Sequence, residues 1–171
     1  MVGEVSSSAD RATRIMLFVG HPTTVDHMAT ELGSHRYHAK MEPRDKEIEL
    51  EAWKGGEGSN IMVTSPSLGN GINIQGVTHV YHTDGGLFSM LDYHQESGRA
   101  GRQGQPSLAT TVVTTEQIRR RIAALAHPND TKEQHALAHF LTTTACRQMA
   151  IASFLDPGLA PRDCQDLQGE W

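Results

Sequence analysis

The sequence predicts an α/β fold, a mostly parallel sheet with helices on both faces, followed by a small all-helical C-terminal segment. Three observations lead there. Short apolar runs alternate with stretches whose apolar residues recur at helical spacing, the pattern of βαβ units. Glycines and prolines fall at the joints between them. After Thr115 the strand-like runs stop and only helical patterns continue. The 171 residues are 37% hydrophobic and 20% charged, an ordinary globular balance and enough chain for a real core.

Residues 14–20 form a short apolar run ending in Gly20 and read as a buried strand. Thr23 or Thr24 can cap a helix whose apolar positions are Val25, Met28, Ala29 and Leu32, with Gly33 as its stop. Pro43 can open a second helix, with Ile48, Ala52 and Trp53 as its apolar contacts. Residues 60–64 and 78–82 read as strands. Ser89 and Asp92 form a capping pattern for a helix running to about Gly98. Residues 107–114, rich in Thr and Val, read as a further strand. Helices are then expected over 116–126, from Asp130 or Thr131 to about Thr142, and over 146–155. Residues 1–13 read as a flexible lead-in, 14–115 as the α/β lobe and 116–171 as the helical segment. Trp53 and Met90 are most simply core.

Composition narrows the function classes. No run approaches the roughly 20 apolar residues of a membrane helix, so no membrane partner is expected. Residues 1–14 contain no apolar stretch of the secretory kind. The two cysteines, Cys146 and Cys164, do not make a disulfide framework. The net charge of -5 argues against a generally basic nucleic-acid binder. It leaves room for a few donors on one face to hold phosphates.

The most informative stretch is residues 93–104. Arg99 and Arg102 lie three apart among Gly98, Gly101 and Gly104, with Gln95 on the preceding helical turn. Glycines let a backbone approach a ligand closely. Two arginines there can aim planar, permanently charged forks at phosphate oxygens. A Gly-rich surface loop with two solvated arginines is the plain alternative. The density of Gln, Glu, Gly and Arg in one block weighs against it.

Residues 95–102, Gln-Glu-Ser-Gly-Arg-Ala-Gly-Arg, closely resemble motif VI of superfamily 2 helicases in its RecQ form. Residues 61–73 resemble motif V, and Tyr37-His38-Ala39 resembles the element that precedes it. Residues 14–19 sit where motif IV belongs. The resemblance implies a RecA-like C-terminal motor lobe that shares ATP and Mg with an N-terminal lobe. It implies that Arg102 is the arginine finger and that Arg99 holds the γ-phosphate or links it to the lobe interface. Gln95, Asn73 and Gly71 would face the nucleotide. Thr64, Ser65, Gly69 and His38 would touch the single-strand backbone, without reading base sequence. The implied partners are single-stranded and duplex DNA and an ATP-binding RecA-like lobe in cis or trans. The implied activity is 3'-to-5' unwinding, and the implied compartment is the nucleus.

Several positions depart from the family pattern. Asn73 stands where Asp is usual, Gln75 and Thr78 where Pro and Arg are usual, Ser65 for Thr and Gln103 for Asp. Loss of the carboxylate at 73 would weaken coupling between ATP and DNA. No Gly-x-x-x-x-Gly-Lys-Ser/Thr is present, and none of Lys40, Lys46, Lys54 and Lys132 fits one. The chain alone is therefore expected not to hydrolyse ATP. Many RecQ proteins follow the motor with a four-cysteine zinc site. Cys146, followed by Arg147, and Cys164 would be half of it, in a truncated subdomain. Four ligands are needed, so a buried small apolar side chain on a helix is the alternative for Cys146. His135 and His139, at i, i+4, more simply mark a helix face, as do residues 119–121.

Three functions compete: a helicase lobe, an inactive remnant that binds nucleic acid or a partner protein, and an unrelated phosphate-binding enzyme. The last would need a general base, and only His94 offers itself.

Overall fold

A computed structural model describes residues 13–66, 74–83, 89–125, 131–158 and 160. Five parallel strands lie in the order β2-β3-β1-β4-β5. They are β1 (Arg14–Phe18), β2 (His35–Tyr37), β3 (Ile61–Thr64), β4 (Val77–Thr83) and β5 (Leu108–Val112). Helices α1 (Pro22–Leu32), α2 (Pro43–Gly55) and α3 (Met90–Ser97) join them, and α4 (Thr115–Ala124), α5 (Lys132–Thr142) and α6 (Arg147–Leu155) follow.

Strand alternation sends side chains to two faces. Met16, Phe18, Met62 and Val80 meet Leu50 and Trp53 of α2 on one face. Val63 and Val19 meet Val25 and Ala29 of α1 on the other. Both faces are covered, as the sequence predicts. Trp53 is fully buried and its Nε1 donates to the Asn60 carbonyl at 2.9 Å. The helical segment does not stand apart. Met90 and Tyr93 of α3 pack with Leu137 and Phe140 of α5 and Ile151 of α6.

The structure corrects two local expectations. Helix α1 begins at Pro22, with His21 in the N-cap position and no side-chain cap. Proline's fixed φ and missing N–H suit a first helical position, so neither Thr23 nor Thr24 is needed as a cap. Strand β2, only three residues long, was absent from the expected elements. It borders β3 at one end of the sheet. Its His-Arg-Tyr sequence carries no apolar run; pairing with β3 defines it.

Arg14 ties the layers together. Its Nε and one terminal nitrogen donate to the carbonyls of Trp53 and Lys54, which end α2, and the other donates to the Gln75 carbonyl at 3.0 Å. A cation there satisfies carbonyls that the helix leaves unpaired and complements its dipole. We expect Arg14→Met to lower unfolding stability by about 2 kcal/mol, the scale of hydrogen bonds to a charged group. Urea denaturation followed by circular dichroism measures it; a loss below about 0.5 kcal/mol, within the range of ordinary surface changes, would remove Arg14 from the structural account.

Candidate nucleotide and nucleic-acid interface

The arginine turn follows α3. Ser89 caps that helix, its hydroxyl accepting from the Asp92 N–H at 3.0 Å, as the sequence predicts. After Ser97 the chain makes a tight turn. The Arg99 N–H donates to the Glu96 carbonyl at 3.1 Å, and the Gly101 N–H to the Val77 carbonyl at 3.0 Å. Gln105 adds a side-chain bond to the same carbonyl at 3.3 Å. Val77 is the first residue of β4, so the turn is fastened at the edge where the strands begin.

Gly101 is required twice. Its φ is +75°, and a Cβ there would lie 2.5 Å from Ser107 Oγ. Gly104 has φ +76° but open space around it.

Burial divides the two arginines. Arg99 is only 4% exposed, whereas Arg102 is exposed, with its Nε donating to the Gly98 carbonyl at 3.1 Å. Burial pulls the Arg99 guanidinium below its usual range, and Arg102 adds repulsion, while the Glu96 carboxylate opposes both. Gln95 is exposed on α3. The turn thus offers Arg102 and Gln95 to solvent, with a buried charge behind them.

Glu96 is itself almost fully buried. Its Oε2 lies 2.9 Å from Nε2 of His82, a wholly buried residue of β4. Burial pushes the Glu96 carboxyl up and Asp92 adds to this, while the His82 hydrogen bond and the Arg99 charge pull it down. The His82 ring stacks on Phe18 at 5.0 Å between centroids and tilts against Tyr93 at 5.0 Å. Sequence reasoning missed this pair. A strand carrying two histidines, His79 and His82, gives no sign of which one is buried or what docks on it.

Thr64, Ser65 and His38, expected to meet nucleic acid, lie at the opposite edge. Thr64 ends β3 and is fully buried; its hydroxyl donates to the Ser65 carbonyl at 2.8 Å. Ser65 is buried beside it, its N–H donating to the Tyr37 carbonyl at 3.2 Å. His38, also buried, follows β2, and its Nε2 lies 3.1 Å from Asp26 Oδ1 on α1. Arg36 donates to the same oxygen at 2.5 Å. In these positions Thr64 and His38 bond within the fold. Gly69, Gly71, Asn73 and Cys164 lie outside the described residues. Cys146 sits half-buried at the start of α6. Among the described residues, no group of three or more His, Cys, Asp or Glu is arranged to hold a metal. A cavity of about 230 Å³ opens between β5 and the α5–α6 pair, lined in part by Tyr93, Thr111, Phe140 and Arg147. None of the expected site residues lines it.

Residues 2–104 match the family model described as helicase conserved C-terminal domain. The chain belongs to that family. Curated relatives of this helicase lobe include RecQ-type DNA helicases and, at similar identity, the ATP-dependent RNA helicase DBP2 of Pyricularia oryzae. The lobe is similar to a putative ATP-dependent DNA helicase Q1 of Caenorhabditis briggsae, 28% identical over 144 residues, and to the ATP-dependent DNA helicase Q5 of Mus musculus, 30% identical over 159 residues. These two matches cover 80% and 81% of this chain but only 22% and 16% of the relatives. The lobe therefore spans under a quarter of either. A solved structure of Saccharomyces cerevisiae Dbp5 bound to RNA and ADP BeF3 shares the fold, with TM-score 0.55 and 18% identity, covering 70% of this chain and 33% of that one. Among the described residues, no helix is long and apolar enough to cross a membrane.

Two predictions follow from the geometry. Gly104→Ala should lower stability by about 1 kcal/mol, the strain of a left-handed residue. Gly101→Ala should lower it by about 2–4 kcal/mol, because overpacking adds to the same strain. Equal losses in urea denaturation would refute the clash with Ser107. The second concerns acid. Burial raises the Asp26 carboxyl, but the His38 and Arg36 hydrogen bonds and charges outweigh it and leave it below the usual value. A depressed carboxylate contributes stability above its unfolded pKa and loses it as pH falls through the folded one. Asp26→Asn should therefore unfold with a shallower loss of stability below about pH 4 than the parent chain. Parallel acid limbs in the two stability profiles would contradict it.

Proposed function

We propose that this chain is the C-terminal lobe of an ATP-dependent 3'-to-5' DNA helicase of RecQ type. Arg102 acts as the arginine finger on nucleotide held by an ATP-binding lobe, in cis or in trans. The observation that carries this reading is the division of the arginine turn, with Arg99 buried and Arg102 exposed on a glycine-set loop bonded to the first residue of β4. A fork held on such a turn is already oriented when charge spreads over the γ-phosphate oxygens. Gln95, exposed on α3 just before the turn, is the candidate γ-phosphate sensor. ATP and Mg belong to the shared cleft, and Asn73 and Gly71 are the remaining candidates to face it. The described residues fit only the phosphate end of that ligand, through donors that bind and orient oxygens. The strand-backbone contacts fall to Ser65, Gly69 and neighbouring backbone groups, with Thr64 and His38 shaping the carboxyl edge from within. DNA as the nucleic acid rests on the names of the Q1 and Q5 relatives, and a nuclear location follows only from work on DNA.

The test mixes the chain with a separately purified RecQ-type ATP-binding lobe. Single-stranded DNA should stimulate ATP hydrolysis by the mixture, and Arg102→Ala should reduce it on the order of 10³-fold. Undiminished hydrolysis in the variant refutes the finger. No hydrolysis with the parent chain, together with DNA binding at low salt, favours an inactive nucleic-acid-binding lobe.

A further inference from the structure

We propose that His82 and Glu96 are positioning residues for the arginine turn, fixing the buried Arg99 behind Arg102 through one hydrogen bond between β4 and α3. The functional meaning rests on the motor-lobe reading; the geometry does not.

Both side chains are polar and almost fully buried. A buried hydrogen-bonded polar pair of this kind adds little stability over apolar residues of the same volume, so its presence calls for another explanation. Three contacts supply one. Phe18 and Tyr93 grip the His82 ring from the sheet and from α3. His82 Nε2 meets Glu96 Oε2 at 2.9 Å. The Glu96 carbonyl then accepts the Arg99 N–H at 3.1 Å, which ties the start of the arginine turn to the residue that His82 holds, and the Glu96 charge favours the buried guanidinium. His82 Nδ1 is buried without a hydrogen-bond partner. A proton there would be a stranded N–H donor, which is rare in folded proteins. The arrangement therefore places the imidazole proton on Nε2, donated to Glu96, whose carboxylate charge offsets the desolvation of Arg99 while its own burial works against that charge. Glutamine at 96 would keep the shape and lose that charge.

The experiment uses the whole chain, labelled with ¹⁵N, and follows exchange of arginine Nε–H protons with water. Glu96→Gln and His82→Leu should each speed Arg99 exchange by about tenfold or more, while Arg14 exchange stays constant as an internal control. His82→Gln keeps a donor for the carboxylate and should hold Arg99 exchange within about threefold of the parent. Unchanged Arg99 exchange in folded Glu96→Gln overturns the proposal. If that variant fails to fold, equal exchange in His82→Gln and His82→Leu overturns it. With the ATP-binding lobe added, Glu96→Gln should lower kcat by about tenfold and leave KM for ATP within about threefold. A change confined to KM also overturns it. Should the parent chain support no ATPase at all, the motor reading fails, while the exchange measurement still decides the positioning role.

Discussion

A guanidinium that cannot shed its proton is 4% exposed in this fold, and its neighbours are arranged around that charge. An uncompensated buried charge costs several kcal/mol, more than any helix cap returns. Arg102 makes the position of Arg99 worse and Glu96 makes it better. Glu96 is buried too, and His82 supplies its hydrogen bond. The chain of compensation ends at Phe18 and Tyr93, whose rings enclose the imidazole. A polar thread thus runs from the arginine turn into the centre of the sheet.

That thread also joins the two parts of the chain. Tyr93 touches His82 on one side and Phe140 of α5 on the other, at 4.6 Å between centroids. The Leu91 N–H reaches Glu133 of α5 at 3.4 Å. Helix α3 is therefore held between the sheet and the helical segment. Removing that segment would bare Met90, fully buried, and Tyr93, nearly so. The segment acts as the outer wall of the helix that carries Gln95 and leads to the arginines.

Much of this was legible in the sequence because it was local. The alternation of strands and helices, the Ser89 cap and the Gly/Arg block each depend on residues a few positions apart. The structure bears out the parallel sheet with helices on both faces. What escaped is non-local or too short to carry a period. His82 and Glu96 are 14 apart and meet only after α3 docks. Arg14 reads as the polar start of a strand, yet its partners are 39, 40 and 61 positions away. Strand β2 has no apolar signature because it lies at the sheet's border. For His38 the spacing said nothing of Asp26, whose carboxylate waits on α1.

Parallel strands give the lobe two distinct edges. Register aligns Tyr37 with Thr64, Thr64 with Phe18 and Phe18 with His82, one row across the sheet close to the strands' carboxyl ends. The arginine turn is bonded instead to Val77, where β4 begins. Seven residues of β4 separate the edges, about 20 Å at 3.3 Å per residue. One strand thus carries the turn's anchor at its start and His82 near its end. A shift of β4 along its own axis would move both together, because a paired strand cannot stretch and can slip only by breaking its ladder bonds. The Glu96 bond adds a second fastening to α3, so the helix and the turn are each bonded to β4, one near its end and the other at its start. Rigid elements of this kind are what a preorganised charge requires, since a fork displaced by about 1 Å loses much of its effect on a developing charge.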